Sequence, residues 1–96
     1  MLTKADILAR REEILAIARK HGASDVRIFG SVARGDANEQ SDLDIVVRFE
    51  RGRTLMDHAA LVGELSDLFG VRVDVVDADG MRPRFRALVE REMVAL

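Results

Sequence analysis

The chain has 96 residues, of which 48% are hydrophobic and 33% are charged, a composition typical of one small globular domain. Its net charge of −2, from 15 basic and 17 acidic residues, disfavours strong nucleic-acid binding, which needs a broad positive field. The absence of cysteine excludes disulfides, thiolate metal sites and a cysteine nucleophile. No apolar stretch reaches the roughly 18 residues of a membrane span, so we expect one cytoplasmic domain over residues 1–96 with no membrane partner.

The first half of the chain predicts a helix followed by two strands. Thr3 is a suitable cap for a helix over residues 4–21, which a charged residue in the apolar stripe divides into a short and a longer piece. Strands are predicted at Asp25–Phe29 and Leu43–Phe49 from their β-branched and aromatic residues, with one helical turn between them. The short connection permits an antiparallel pair.

The second half of the chain predicts a helix, a strand and a final helix. Thr54 is suited to cap a helix that runs to Phe69 and stops at Gly70. A strand at Val71–Val76, a helix that begins near Pro83 and a short closing strand follow. Because a strand, a helix and a strand in succession are typical of a parallel crossover, we expect an α/β (α+β) fold with a small mixed β-sheet of three or four strands flanked by helices.

Carboxylates at the start of the second predicted strand form the first chemical feature. Side chains alternate along a strand, so Asp42 and Asp44 share a face about 6.6 Å apart along the backbone, opposite the aliphatic residues beside them. Asp74 joins them if the third strand buries its valines on the same helices. Like charges this close repel unless a cation neutralises them, and Mg²⁺ binds one or two carboxylates plus substrate phosphates. The three carboxylates therefore predict a divalent-metal phosphate site.

The turn after the first predicted strand forms the second chemical feature. Gly30 allows a phosphate to approach the backbone, Ser31 offers a hydroxyl and an N–H group, and Arg34 can reach a phosphate oxygen from one turn further on. The segment contains neither a Walker loop nor a dinucleotide-binding fingerprint. A surface ion pair between Arg34 and Asp36 is the alternative interpretation of that arginine.

The segment GSVARGDANEQSDLDIVV, residues 30–47, resembles the signature of the DNA polymerase beta-like nucleotidyltransferase superfamily: Gly-Ser, then Asp-x-Asp ten residues later, then a third Asp. The fuller pattern GSxARGxxxxxSDxDxxV is similar to that of the minimal nucleotidyltransferase (MNT) group, whose members are also short. The resemblance implies the nucleotidyltransferase fold. It also implies that Gly30 and Ser31 hold the nucleotide phosphates with help from Arg34.

The same resemblance assigns roles to the carboxylates. It implies that Asp42 and Asp44 bind Mg²⁺ and that Asp74 completes the triad, as a metal ligand and as a base toward the acceptor hydroxyl. Asp77 is the alternative third carboxylate. Strand alternation disfavours it, because Asp77 has the opposite parity to Asp74 and falls past the predicted end of the strand.

The resemblance further implies Mg²⁺-dependent transfer of AMP from ATP to a hydroxyl acceptor. MNT proteins resemble, as a group, the antitoxins of HEPN-domain ribonuclease toxins, which implies a HEPN tyrosine as the acceptor and a hetero-oligomer with that partner. Two alternatives stay open: an antitoxin that neutralises its partner by binding alone, and a nucleotidyltransferase acting on a small molecule such as an aminoglycoside. The sequence leaves open the acceptor atom, the base preference and the number of groups transferred.

Overall fold

The computed structural model describes residues 1–96 as five α-helices, four strands and one 3₁₀ turn. In chain order these are α1 (Lys4–Ala9), α2 (Arg11–Lys20), β1 (Ala23–Phe29), α3 (Gly30–Arg34), β2 (Leu43–Phe49), α4 (Leu55–Phe69), β3 (Val73–Asp77), the 3₁₀ turn (Ala78–Gly80), α5 (Pro83–Glu92) and β4 (Val94–Ala95). The strands form one sheet in the order β3-β2-β1-β4. β2 and β3 are parallel, whereas β1 is antiparallel to both of its neighbours. The predicted mixed sheet is therefore confirmed.

Short polar residues fix where the helices begin and end. Thr3 and Asp6 form a reciprocal capping box at the start of α1, and Thr54 and Asp57 form a second one at the start of α4. Gly70 ends α4 in the left-handed conformation, with φ of 66°. Both predicted caps and the predicted stop of α4 are confirmed. None of the helices is long and apolar enough to cross a membrane.

The sheet has one extensive core face and one smaller one. On the first face, alternate residues of the strands pack against α1, α2 and α4, and the aliphatic residues Leu43, Ile45 and Val47 of β2 are fully buried there, as the alternation predicts. On the other face, α5 and the 3₁₀ turn cover a smaller cluster made of Phe29, Val46, Ala78 and Val89. The carboxyl-bearing residues at the start of β2 share this second face.

Two predicted strand boundaries are wrong by two residues. β3 begins at Val73 rather than Val71, because its ladder with β2 starts where Val73 lies beside the first residue of that strand, Leu43. β1 begins at Ala23 rather than Asp25, because a β-bulge lets two further residues pair with the end of β2. Asp25 lies in that bulge with φ of 53°.

Candidate active site

Asp44 and Asp74 occupy equivalent positions on the neighbouring parallel strands β2 and β3. The residues on either side of each are buried in the larger core, so alternation directs both carboxylates to the opposite face of the sheet. Asp42 lies two residues before Asp44, immediately ahead of β2, and is half-buried. The strand register thus brings Asp44 and Asp74 side by side, with Asp42 at the entrance to the same face.

The electrostatics of Asp44 confirm that these charges are close. Burial, together with the charges of Asp74 and Asp42, raises the pKa of the Asp44 carboxyl from 3.8 to about 6. The Arg34 guanidinium lowers this pKa and the Glu92 carboxylate raises it further, but both act less strongly than burial. The site therefore holds more negative charge than its own cations neutralise.

The carboxylates of this site can supply some of the ligands of a Mg²⁺ ion, but they do not enclose one. No three histidine, aspartate or glutamate side chains are positioned here to enclose a single metal ion. Mg²⁺ takes few protein carboxylates and completes its octahedron with water and substrate phosphates, so a closed protein cage is not needed. The raised pKa of Asp44 provides the positive indication, because a bound cation would offset both causes of it, the burial of the carboxylate and the neighbouring charges of Asp74 and Asp42.

Asp77 lies within β3 and not past its end, but it faces away from Asp74, as the alternation predicts. It is the last residue of β3, opposite Val47, so the expectation that it falls past the strand is wrong. Its position matches the face of Val73 and Val75, not that of Asp74. Its carboxylate caps the 3₁₀ turn, accepting a hydrogen bond of 3.0 Å from the Asp79 N–H. Asp77 is accordingly bound into a local turn, away from Asp44.

Gly30 is a position where no side chain fits. Its φ is 75°, and a Cβ atom added there would lie 2.2 Å from Oδ2 of Asp44. The glycine turn thus packs directly against the carboxylate of β2. Ser31 follows in α3 and is half-buried. Among the predicted phosphate-binding residues, Gly30 therefore lies directly against the Asp44 carboxylate.

Arg34 forms the ion pair with Asp36 that the alternative interpretation of its role predicts, and it forms a second ion pair with Glu92. Its Nε donates to Asp36 at 3.3 Å, and its Nη1 donates to Glu92 at 3.0 Å. These contacts raise the pKa of the Arg34 guanidinium, Glu92 having the larger effect. The side chain is still 46% exposed. Arg34 is therefore both held in place and accessible from solvent.

Glu92 is the residue at this site that the sequence analysis missed. Its carboxylate also accepts a hydrogen bond of 2.9 Å from the Gly30 N–H. The separation of 62 residues between them left no local pattern to detect. One indirect signal was available: Glu92 is a carboxylate in the last turn of α5, where the helix dipole favours a cation.

The candidate site lies on an open surface. The largest depression of the molecule, about 320 Å³, lies elsewhere and is lined by residues such as Leu2, Asn38 and Phe69. None of the carboxylates Asp42, Asp44 and Asp74 lines any of the three depressions of the surface. The site thus has the form of a shallow charged face and not of an enclosed small-molecule pocket.

Comparison with known families and sequences agrees with this architecture. The sequence model of the family described as "Nucleotidyltransferase domain" matches residues 11–96. The protein adenylyltransferase MntA of Thermococcus cleftensis is 36% identical over 99 residues, covering 98% of this chain and 96% of the relative. The similarity therefore extends along nearly the whole length of both proteins.

Solved structures share the fold. One assigned as a minimal nucleotidyltransferase is 53% identical, with a TM-score of 0.87, and covers 99% of this chain and 97% of that one. A second belongs to a Shewanella oneidensis complex of a tri-AMPylated HEPN toxin with an MNT antitoxin. At 18% identity, with a TM-score of 0.70 and coverage of 92% and 69% of the two chains, this second likeness concerns the fold alone.

Proposed function

We propose, because the chain belongs to the nucleotidyltransferase domain family, that it transfers AMP from ATP to a hydroxyl acceptor with Mg²⁺ as cofactor. One observation carries the proposal: Asp44 lies against the Gly30 turn and is paired in the strand register with Asp74. Concentrated negative charge beside a glycine turn and an arginine is an arrangement suited to a metal-nucleotide complex. The adenylyl group is supported by the name of the Thermococcus relative, a protein adenylyltransferase.

Asp42, Asp44 and Asp74 are the residues we assign to Mg²⁺. When bound, the metal lowers the pKa of the attacking hydroxyl and neutralises charge on the phosphates. The repulsion among the carboxylates is the property that favours this ligand, because each bound cation relieves it.

The other residues hold the nucleotide and handle a proton. Gly30 and Ser31 receive the phosphates at the backbone turn, and the exposed side of Arg34 supplies a charge-assisted hydrogen bond to them. The acceptor oxygen forms a bond to the α-phosphorus while the bond from that phosphorus to the bridging oxygen breaks and pyrophosphate leaves. Asp74 accepts the hydroxyl proton, acting as the general base.

We assign the acceptor to a tyrosine of a HEPN-domain partner, and hence an antitoxin role to this chain. Two observations support a macromolecular acceptor: the carboxylates lie on an open face, and a protein of the same fold occurs in a complex with an AMPylated HEPN toxin. An open face admits a side chain presented by another protein, which provides its own docking surface. The assembly is then a hetero-oligomer.

The test is a transfer assay with the complete chain. The protein is incubated with α-labelled ATP, Mg²⁺ and the products of the genes that adjoin its own, a HEPN-domain protein being the acceptor we propose, and the modified residue is located by mass spectrometry. We expect label on a tyrosine of the partner, loss of labelling with EDTA, and recovery when Mg²⁺ is restored. Neutralisation of the partner without any label would instead support an antitoxin that acts by binding alone.

A small-molecule acceptor makes a different prediction in the same assay. Labelled aminoglycoside or another low-molecular-weight product would form in the absence of the HEPN protein. Transfer that requires the partner and stays on it would exclude this alternative.

A further inference from the structure

Glu92 bridges two elements of the candidate site that are far apart in sequence. One carboxylate oxygen accepts the Gly30 N–H at 2.9 Å, and the other accepts Nη1 of Arg34 at 3.0 Å. The Glu92 side chain is only 14% exposed, so its bond to the Gly30 N–H is shielded from water, whereas its partner Arg34 is 46% exposed. A single residue of α5 thus connects the glycine turn with the arginine of α3.

The location of Glu92 on its own helix is unfavourable, which makes its contacts informative. It is the last residue of α5, where the partial negative charge of the helix end repels a carboxylate. The basic Arg91 lies beside it in the same turn, but the Glu92 side chain makes its hydrogen bonds outside α5, with the Gly30 N–H and the Arg34 guanidinium. Local preference is overruled at this position, as often happens at functional sites.

The second ion pair of Arg34 completes its restraint. Nε is bound to Asp36 and Nη1 to Glu92, so the plane of the guanidinium is fixed at two of its three nitrogens. Nη2 is left without a partner and remains available as a donor. An arginine fixed in this way loses less side-chain entropy when it binds an anion than a free arginine does.

We propose that Glu92 is a positioning residue for the nucleotide site, one that holds Arg34 and the Gly30 turn in the arrangement that binds phosphate. The proposal rests on the proposed function, since it takes Arg34 to contact the phosphates. Glu92 itself touches no substrate. Its contribution is therefore exerted through Arg34, and it disappears when Arg34 is removed.

A double-mutant cycle tests this directly. Binding of a non-hydrolysable ATP analogue with Mg²⁺ is measured by calorimetry for the wild type, Glu92→Ala, Arg34→Ala and the double variant. We expect Glu92→Ala to weaken binding about tenfold in the wild-type background and less than about twofold beside Arg34→Ala. Equal losses in both backgrounds, or tighter binding by Glu92→Ala, would overturn the proposal.

Two further variants separate positioning from stability. Glu92→Gln keeps an acceptor for the Gly30 N–H, so we expect it to recover most of the affinity that Glu92→Ala loses. If Glu92→Ala fails to fold, the cycle is run with Glu92→Gln, where a loss of about threefold that disappears beside Arg34→Ala is expected. Glu90→Gln removes an exposed charge from the same helix and should bind like the wild type.

The outcomes also separate a failure of the Glu92 proposal from a failure of the proposed nucleotide site. If the wild type binds no nucleotide, or Arg34→Ala binds as tightly as the wild type, the assignment of the phosphate site fails and the role of Glu92 fails with it. If Arg34→Ala weakens binding while both Glu92 variants bind normally, the phosphate site stands and the positioning role alone is wrong.

Discussion

At the scale of single residues, the contact between Gly30 and Asp44 shows how closely the glycine turn after β1 is packed against β2. The position has φ of 75° and leaves only 2.2 Å between an added Cβ and Oδ2 of Asp44. Backbone strain and steric overlap therefore act together at one residue. Glycine is required at position 30 both by the positive φ of the backbone and by the lack of space beside Asp44.

Gly30→Ala is expected to lower the free energy of unfolding by about 3 kcal/mol, because the methyl group displaces the Asp44 carboxylate in addition to straining the backbone. Gly35→Ala is the matched control: its φ is 84°, but nothing lies within 4 Å of an added Cβ, so a loss of about 1 kcal/mol is expected. Urea unfolding measures both. Equal losses for the two variants would contradict the close contact at Gly30.

The burial of Asp44 and the charges beside it give a second prediction, for the metal-free protein. The pKa of Asp44 is raised to about 6, so the folded protein binds its proton more tightly than the unfolded chain does. The ionised form is therefore a cost to folding above about pH 6. Asp44→Asn removes that cost and should stabilise the metal-free protein at pH 8 by about 1 kcal/mol after allowance for solvent screening, or about 4–8 °C in Tm.

The pH dependence provides the check on this prediction. As the pH falls through 6 toward 4, Asp44 of the wild type becomes protonated and its repulsion disappears, so the advantage of Asp44→Asn should shrink to nothing. Thermal unfolding in EDTA at pH 8 and pH 4 measures the difference. A variant that is less stable than the wild type at pH 8 would show that the site is not overcharged.

At the scale of elements, caps determine where α4 begins. The Thr54 side chain accepts the Met56 N–H, while the Asp57 carboxylate accepts the Thr54 N–H at 2.9 Å. We expect Thr54→Ala to destabilise the protein by about 1 kcal/mol, because it leaves a helix N–H without its acceptor. Thr54→Ser keeps the hydroxyl and should cost little. Chemical denaturation measures the free energy of unfolding of the wild type and the two variants. Equal losses of stability in Thr54→Ala and Thr54→Ser would show that the hydroxyl cap is unimportant.

Elements with local signals were predictable from the sequence, and elements defined by long-range pairing were less so. The bounds of β2 agree at both ends, because the segment from Leu43 to Phe49 with its β-branched centre is also the segment that pairs in the sheet. The predicted start of β3 was wrong because the strand begins where Val73 pairs with Leu43, and not where its run of valines begins. The bulge at Asp25 left no sequence pattern that would have predicted it.

The same distinction applies to the candidate site. Alternation and strand order were enough to predict that Asp44 and Asp74 share a face. In neighbouring strands of one sheet, residues paired in the register point their side chains to the same face. The contact of Glu92 with Gly30 depends on where the end of α5 lies, and tertiary packing alone determines that. Sequence patterns therefore indicated the carboxylates but not the residue that braces the turn.

At the scale of the whole molecule, α5 is attached to the sheet through a small cluster. Val89 is fully buried against Phe29 and Val46, whereas Leu88 beside it is 50% exposed. We expect Val89→Ala to cost about 2 kcal/mol, because the cluster is too small to close over the lost methyl groups. Leu88→Ala should cost less than about 1 kcal/mol. Equal unfolding midpoints for the two variants would contradict this attachment of α5.

The proposed activity depends on which carboxylates lie together on the face of the sheet opposite the larger core. Asp74 lies beside Asp44 in the strand register, whereas Asp77 of the same strand caps a turn. The pair Asp74→Asn and Asp77→Asn therefore makes the same chemical change at two nearby positions that have different roles.

The most direct measurement is the rate of AMP transfer to the proposed HEPN partner by these two variants and the wild type, with folding verified by circular dichroism. We predict that Asp74→Asn lowers the rate by at least about a hundredfold, because it removes the proposed metal ligand and base, and that Asp77→Asn stays within about threefold of the wild type. Near-normal transfer by Asp74→Asn, or a large loss confined to Asp77→Asn, would contradict the account.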